Sequence, residues 1–205
     1  MTMKKSLAAA LAVAALATAS AATAQTWTEP KSGTAFEVKR DGMTLLGAGL
    51  RVKKILFTFK AYAVGLYVDD AALSGALAAH KGKTTSKEFY AALQTGDFKK
   101  EVVLKFLRTL SANRIQEAMR ESLAGADPKT LDQFIAYFPE VKEGEQCVLR
   151  YLPGGKLESI MAGQAKPVIE NKAFADRLFG LYVGPQPIQE DIKADVVARA
   201  GEALK

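Results

Sequence analysis

The sequence predicts an α+β domain organised around a large, mainly antiparallel β-sheet. Three observations lead there. Strand-like segments come in pairs joined by tight-turn sequences, Asp41-Gly42 and Pro153-Gly154-Gly155. Helical patterns gather in runs instead of alternating with strands, which separates α+β from α/β arrangements. The composition, 49% hydrophobic and 24% charged over 205 residues, is that of one globular domain and argues against disorder.

Residues 1–24 stand apart from that domain. Lys4 and Lys5 precede an apolar run over 7–17, and small residues end in Ala22-Thr23-Ala24 just before Gln25. This is the pattern of a secretory signal peptide with cleavage after Ala24. The run is too short and Ala-rich to span a hydrocarbon layer of about 30 Å, so no stable membrane anchor is expected after cleavage. The mature protein, residues 25–205, is then a single exported domain, periplasmic in a bacterial setting. Removing 24 residues with two lysines takes the chain from 205 residues at +6 to 181 at +4. That charge is mild and dispersed, with no basic stripe interleaved with aromatics, so nucleic acid is not an expected partner. With one Cys and one His there is no internal disulfide and no familiar zinc or haem constellation, and no cofactor is expected. Cys147 lies in an apolar strand-like run and reads as a buried small hydrophobe.

The elements follow in order. Residues 27–31 read as a lead-in segment. Residues 35–40 alternate apolar and polar, Asp41-Gly42 turns, and 43–46 return as the second arm of a hairpin. Residues 50–68 are rich in Phe, Val, Ile and Tyr with no Pro, and read as one long bent strand or two strands joined by a kink. A short Ala-rich helix is expected over 71–80 with Asp70 as its N-cap, and another over 88–93 opened by Ser86 and ended by Gly96. Residues 101–110 form a strand. Ser111 is placed to cap a helix over 113–123, with Ile115, Met119 and Ser122 on one face. Asp127-Pro128 opens a helix over 129–138, with Pro at its first position. Strands at 146–152 and 156–161 form the second hairpin. Helices follow over 171–182 and 188–204, parted by Gly184-Pro185.

Most chemical motifs can be set aside. Gly47-Ala48-Gly49 precedes an apolar strand, whereas a phosphate-cradling loop needs a helix N-terminus behind it. There is no G-x-S-x-G or H-E-x-x-H motif. His80 ends an Ala-rich helix beside Lys81 and reads as a solvated position. Glu117 and Glu121 are four apart on a helix and read as a solvated face. Arg51 is different. It enters a strongly apolar strand system followed by Phe57, Phe59 and Tyr62, and its charge cannot be neutralised. Either it forms an internal ion pair or lies at an edge, or it is an anion clamp at the end of an apolar pocket with Tyr62 as a second donor. Positions 51 and 62 differ by an odd number. In one uninterrupted strand they face opposite sides, and they share a cleft only if a bulge or a turn lies between them, for which Lys53-Lys54 is the place. In a straight strand Tyr67 takes the Arg51 face instead.

Gly47-Ala48-Gly49-Leu50-Arg51 followed by Lys60-Ala61-Tyr62-Ala63-Val64-Gly65-Leu66-Tyr67-Val68 resembles the chalcone isomerase family. Asp132-Gln133-Phe134 through Phe138, the Leu-Pro-Gly-Gly-Lys turn within 149–157, Val168-Ile169-Glu170-Asn171-Lys172 and Val183-Gly184 are similar to later family segments, so the resemblance spans roughly residues 33–200. It implies an open β-sandwich: a large antiparallel sheet, helices on one face, and a ligand cleft between them. The plant enzymes of that family close a chalcone to a flavanone by attack of a phenolate on an enone. Their Arg stabilises the phenolate, while a strand hydroxyl and a helix Tyr help polarise the ketone through a water. Other members bind fatty acids, with the Arg and a strand Tyr on the carboxylate.

Carried over by position, Arg51 falls on the family Arg. Tyr62 falls where plant enzymes have Thr and fatty-acid binders commonly have Tyr. Ser111 takes the place of the helix Tyr, Ala118 that of an active-site Asn, and Leu181 a late polar position with Tyr182 beside it. Two of these replacements have no side-chain donor or acceptor, which argues against efficient chalcone cyclisation. The expected function is therefore the binding of a small apolar anion, a fatty acid or polyphenol-like molecule. Arg51 and Tyr62 would hold its charge, Phe57, Phe59, Ile115 and Met119 would form the wall, and Ser111, Leu181 and Tyr182 would lie nearby. An intramolecular lyase with Arg51 and Tyr62 as catalytic residues is the alternative, and a non-catalytic partner protein a third reading. No metal ligand is expected.

Overall fold

A computed structural model of the chain describes residues 25–54 and 58–205. The signal-like segment 1–24 and Phe57 lie outside the described residues. Strand β1 (Thr26–Thr28) pairs with β2 (Ala35–Glu37) in a small ribbon. After β3 (Lys39–Arg40) the chain turns at Asp41-Gly42, both with positive φ (48° and 73°), the geometry of the shortest hairpin loops. Of the two readings of the long apolar run, the two-strand one holds, with a reversal in place of the kink. The run is two antiparallel strands, β4 (Met43–Lys54) and β5 (Thr58–Asp69), and the chain reverses between them.

Helix α1 (Asp70–Ser74) is shorter than its Ala-rich sequence suggests, because Gly75 ends it and only a 3₁₀ turn, Ala78–His80, follows. Its cap is Asp69, which accepts from the Ala71 N–H at 2.7 Å, one residue earlier than expected. His80 is half-buried, its ring 5.6 Å from that of Phe89. Helix α2 (Lys87–Thr95) is capped by Ser86. Strand β6 (Lys100–Phe106) stops four residues short of the expected end, and Leu110 instead bridges to Val141. Helices α3 (Ala112–Ser122) and α4 (Pro128–Ile135) follow, α4 capped by Asp127 with Pro at its first turn. Strands β7 (Gln146–Leu152), β8 (Lys156–Met161), β9 (Gln164–Ala165) and β10 (Ile169–Glu170) lead to α5 (Lys172–Val183), capped by Asn171. The final segment is two short helices, α6 (Glu190–Asp195) and α7 (Ala200–Ala203), not one long helix. The break has a cause: the Arg199 N–H donates to the Leu46 carbonyl of β4 at 2.7 Å.

The main sheet is antiparallel in the order β10-β8-β7-β6-β5-β4-β3, with β9 beside β8. The larger core lies between its helix-bearing face and α2 to α7. On the other face Trp27 and Phe36 from the β1–β2 ribbon cover Met43, Leu45, Ala63 and Val103. Cys147 is buried in the larger core, which pushes its thiol up to about 11 and makes it a poor nucleophile. Lys100 is also buried there. Its Nζ donates to the carbonyls of Leu93, Gln94 and Gly96 at 2.8, 2.7 and 3.0 Å, closing the C-terminus of α2. The ammonium lies over the rings of Tyr151, Phe98 and Phe179 at 4.6 to 5.2 Å.

The Gly47-Ala48-Gly49 segment has a packing role. α6 and the turn after it lie so close to β4 that a Cβ on Gly47 would stand 2.4 Å from the Asp195 carbonyl oxygen. Gly47→Ala is expected to destabilise the fold by about 3 kcal/mol, since backbone must move to admit the methyl. Thermal unfolding checks this, and an unchanged midpoint would refute the close approach.

Candidate functional site

Arg51 on β4 and Tyr62 on β5 are direct cross-strand partners, so both project from the same face of the sheet. The odd spacing in sequence is resolved by the reversal between the strands. That reversal follows Lys53-Lys54 directly, as a turn there requires, and a bulge lies at Ala61, which is skipped between the Arg51–Tyr62 and Val52–Lys60 pairs. Tyr67 belongs to the opposite face, where its hydroxyl donates to the Glu37 carbonyl at 3.0 Å.

Arg51 and Tyr62 line a cleft of about 320 Å³ between the sheet and α3. Phe59, Ala61 and Phe106 form its sheet wall. Ile115, Ala118 and Met119 form its helix wall, and Leu110 and Ile188 close the sides. Lys53, Arg114, Glu117 and Glu121 bring charge to the same cleft, and the Arg108 guanidinium stacks on the Phe59 ring at 4.5 Å.

Of the residues singled out in the sequence, the structure brings together Arg51, Tyr62, Phe59, Ile115 and Met119. It leaves out three. Ser111 is exposed at the N-cap position of α3 and does not line the cleft, whereas Leu110 before it and Arg114 and Ile115 after it do. Leu181 is buried in the core formed by α5. Tyr182 is fully buried and does not line the cleft either, yet its hydroxyl approaches that of Tyr62 beneath the cleft floor. Neither hydroxyl makes a well-formed hydrogen bond.

The electrostatics favour an anion. Arg51 forms no ion pair among the described residues. Its Nη1 has two long contacts, to the Val52 carbonyl at 3.3 Å and Gln189 Oε1 at 3.4 Å. Burial pushes the Tyr62 phenol above its ordinary value, although the Arg51 charge and the Tyr182 hydroxyl pull it back. Burial, then the neighbouring Tyr62, holds Tyr182 well above its ordinary value. Both phenols are therefore protonated at neutral pH and act as donors, not bases. A permanent cation beside a neutral donor, at an apolar cleft, suits a carboxylate or phenolate. Ala118 brings no polar group to the helix wall at its own position.

Sequence reasoning missed Gln189, a polar neighbour that touches both the Arg51 side chain and its backbone surroundings. It lies 138 residues away in the chain and carries no motif. Phe106 and Leu110 were missed as lining residues too. The alternation of β6 places Phe106 with Val102 and Leu104 on the helix-bearing face, a signal that could have found it. No cluster of His, Cys, Asp and Glu among the described residues could hold a metal ion, and no described helix is long and apolar enough to cross a membrane.

Comparison with known proteins agrees with this architecture. The solved structure of a fatty-acid binding protein from Arabidopsis thaliana superposes with a TM-score of 0.74 at 22% identity, covering 88% of this chain and 99% of that one. Chalcone–flavanone isomerase 1 of Fragaria ananassa is 26% identical over 200 residues, covering 86% of this chain and 81% of its own. Chalcone isomerase-like protein 1 of Humulus lupulus is 29% identical over 182 residues, covering 76% and 81%. The family model described as chalcone isomerase-like matches residues 24–197, and the chain belongs to the chalcone isomerase-like family.

Proposed function

We propose that this protein is an exported binder of a small apolar carboxylate such as a fatty acid, without efficient chalcone cyclisation. The observation that carries this is the Arg51–Tyr62 pair, an arginine with no ion-pair partner among the described residues beside a buried neutral phenol, at a cleft walled by Phe59, Phe106, Ile115 and Met119. A fatty acid would place its carboxylate on Arg51, take a further hydrogen bond from Tyr62, and lay its chain against α3. The likeness to a fatty-acid binding protein supports the reading, while the likeness to plant chalcone–flavanone isomerases supports the alternative of a lyase acting on a phenolic enone.

Calorimetric titration with decanoate tests the proposal, together with loss of chalcone absorbance as the assay for the alternative. Saturable decanoate binding without chalcone turnover is expected. Arg51-dependent chalcone turnover with no decanoate binding would replace the proposal with the lyase. Tyr62→Phe is expected to weaken decanoate about fivefold, the worth of one neutral hydrogen bond. Equal affinity would remove Tyr62 from the site. Export is tested by N-terminal sequencing of the secreted protein, with Gln25 expected first.

A further inference from the structure

Beyond the residues that meet the cleft, the Gln189 side chain is used in an unusual way. Gln189 holds the N-cap position of α6, where a side chain ordinarily accepts from the helix's own first-turn amides, yet it makes no such bond. The side chain turns to β4 instead. Its Nε2 donates to the Leu50 carbonyl at 3.1 Å and its Oε1 accepts from the Val52 N–H at 3.0 Å. These are the two residues flanking Arg51. The same Oε1 lies 3.4 Å from Arg51 Nη1. The amide thus mimics a neighbouring strand along the stretch of β4 that β3 does not reach, and it touches the guanidinium as well.

We infer that Gln189 is a positioning and selectivity residue. It fixes the backbone on either side of Arg51 and gives the guanidinium a neutral contact, so the charge stays available to an anionic ligand. An amide suits both tasks, because it donates to one backbone group, accepts from the other, and carries no charge to neutralise the arginine. A carboxylate at this place would bond Arg51 internally and compete with any ligand carboxylate. The inference rests on the carboxylate-binding reading above.

The test compares decanoate with decanol, which shares the chain and lacks the charge, by calorimetry on wild type, Arg51→Ala, Gln189→Glu and the similarly sized, uncharged Gln189→Met. Wild type is expected to prefer decanoate, and Arg51→Ala to lose that preference. Gln189→Glu should lose it to a similar degree. Gln189→Met should lower the ratio about tenfold, roughly one charge-assisted interaction, by loosening Arg51. Decanol affinity should stay constant in the Gln189 variants, which also reports that the cleft is folded. A residue that merely fastened α6 would not move the acid-to-alcohol ratio. Wild-type ratios in Gln189→Met overturn the inference and leave the carboxylate reading standing. They decide the matter alone if Gln189→Glu does not fold. No preference for decanoate in wild type overturns both.

Discussion

Arg51→Ala is expected to lower decanoate affinity about a hundredfold, the combined worth of two charge-assisted hydrogen bonds, while leaving the protein folded. The two halves of that expectation have separate grounds. The guanidinium forms no ion pair among the described residues, and its two contacts are long, at 3.3 and 3.4 Å. Little native-state energy is tied up in it, so the melting temperature should shift by no more than a surface substitution would cause. Its charge, beside an apolar cleft, is the strongest recognition element available to an anion. Calorimetry and thermal unfolding read the two halves. Unchanged affinity would remove the arginine from ligand binding, and collapse of the fold would show a structural arginine instead.

Lys100→Met carries the largest expected effect on stability, a loss of roughly 3 kcal/mol or more, because it leaves buried carbonyls at the end of α2 without donors. Urea unfolding measures it. The pH dependence has a definite sign. Burial, opposed by Asp176, pushes the Lys100 ammonium from its ordinary 10.5 down to about 7. Between those values the unfolded chain keeps a proton that the folded chain has released, so this group adds stability as pH rises through that window. The margin of wild type over Lys100→Met is expected to widen between about pH 7 and 10. A margin constant across that range would show that the carbonyl cage holds the ammonium charged throughout.

Much of the architecture was legible from local chemistry. The strand pair 146–152 and 156–161 is marked by its Pro-Gly-Gly turn and matches β7 and β8. The caps Ser86 and Asp127 act as their side chains suggest. Some contacts that decide the fold are distant in sequence. Nothing near residue 199 says that its amide is spent on Leu46, so the last two helices read as one. The run over 50–68 left one bent strand, two strands, and a bulge or turn near Lys53-Lys54 all open, because Lys53 and Lys54 are a weak turn signal beside Asp41-Gly42. Within the candidate site, Arg51 stood out as a charge in an apolar run. Gln189 did not, because a glutamine before an acidic helix start is ordinary until the strand it clamps is known. The Ser111 expectation came from a family position, and α3 turns other residues to the cleft.

The cross-strand pairing of Arg51 with Tyr62 divides the cleft by origin. Arg51 and Tyr62 come from adjacent strands of the sheet, whereas the apolar helix wall of Ile115, Ala118 and Met119 comes from α3, whose Arg114, Glu117 and Glu121 meet the cleft as well. The apolar wall and the Arg51–Tyr62 pair can therefore drift separately in descendants of this chain. Exchanging apolar side chains on that helix would redraw which acids fit, while the sheet went on presenting the same cation to whatever entered.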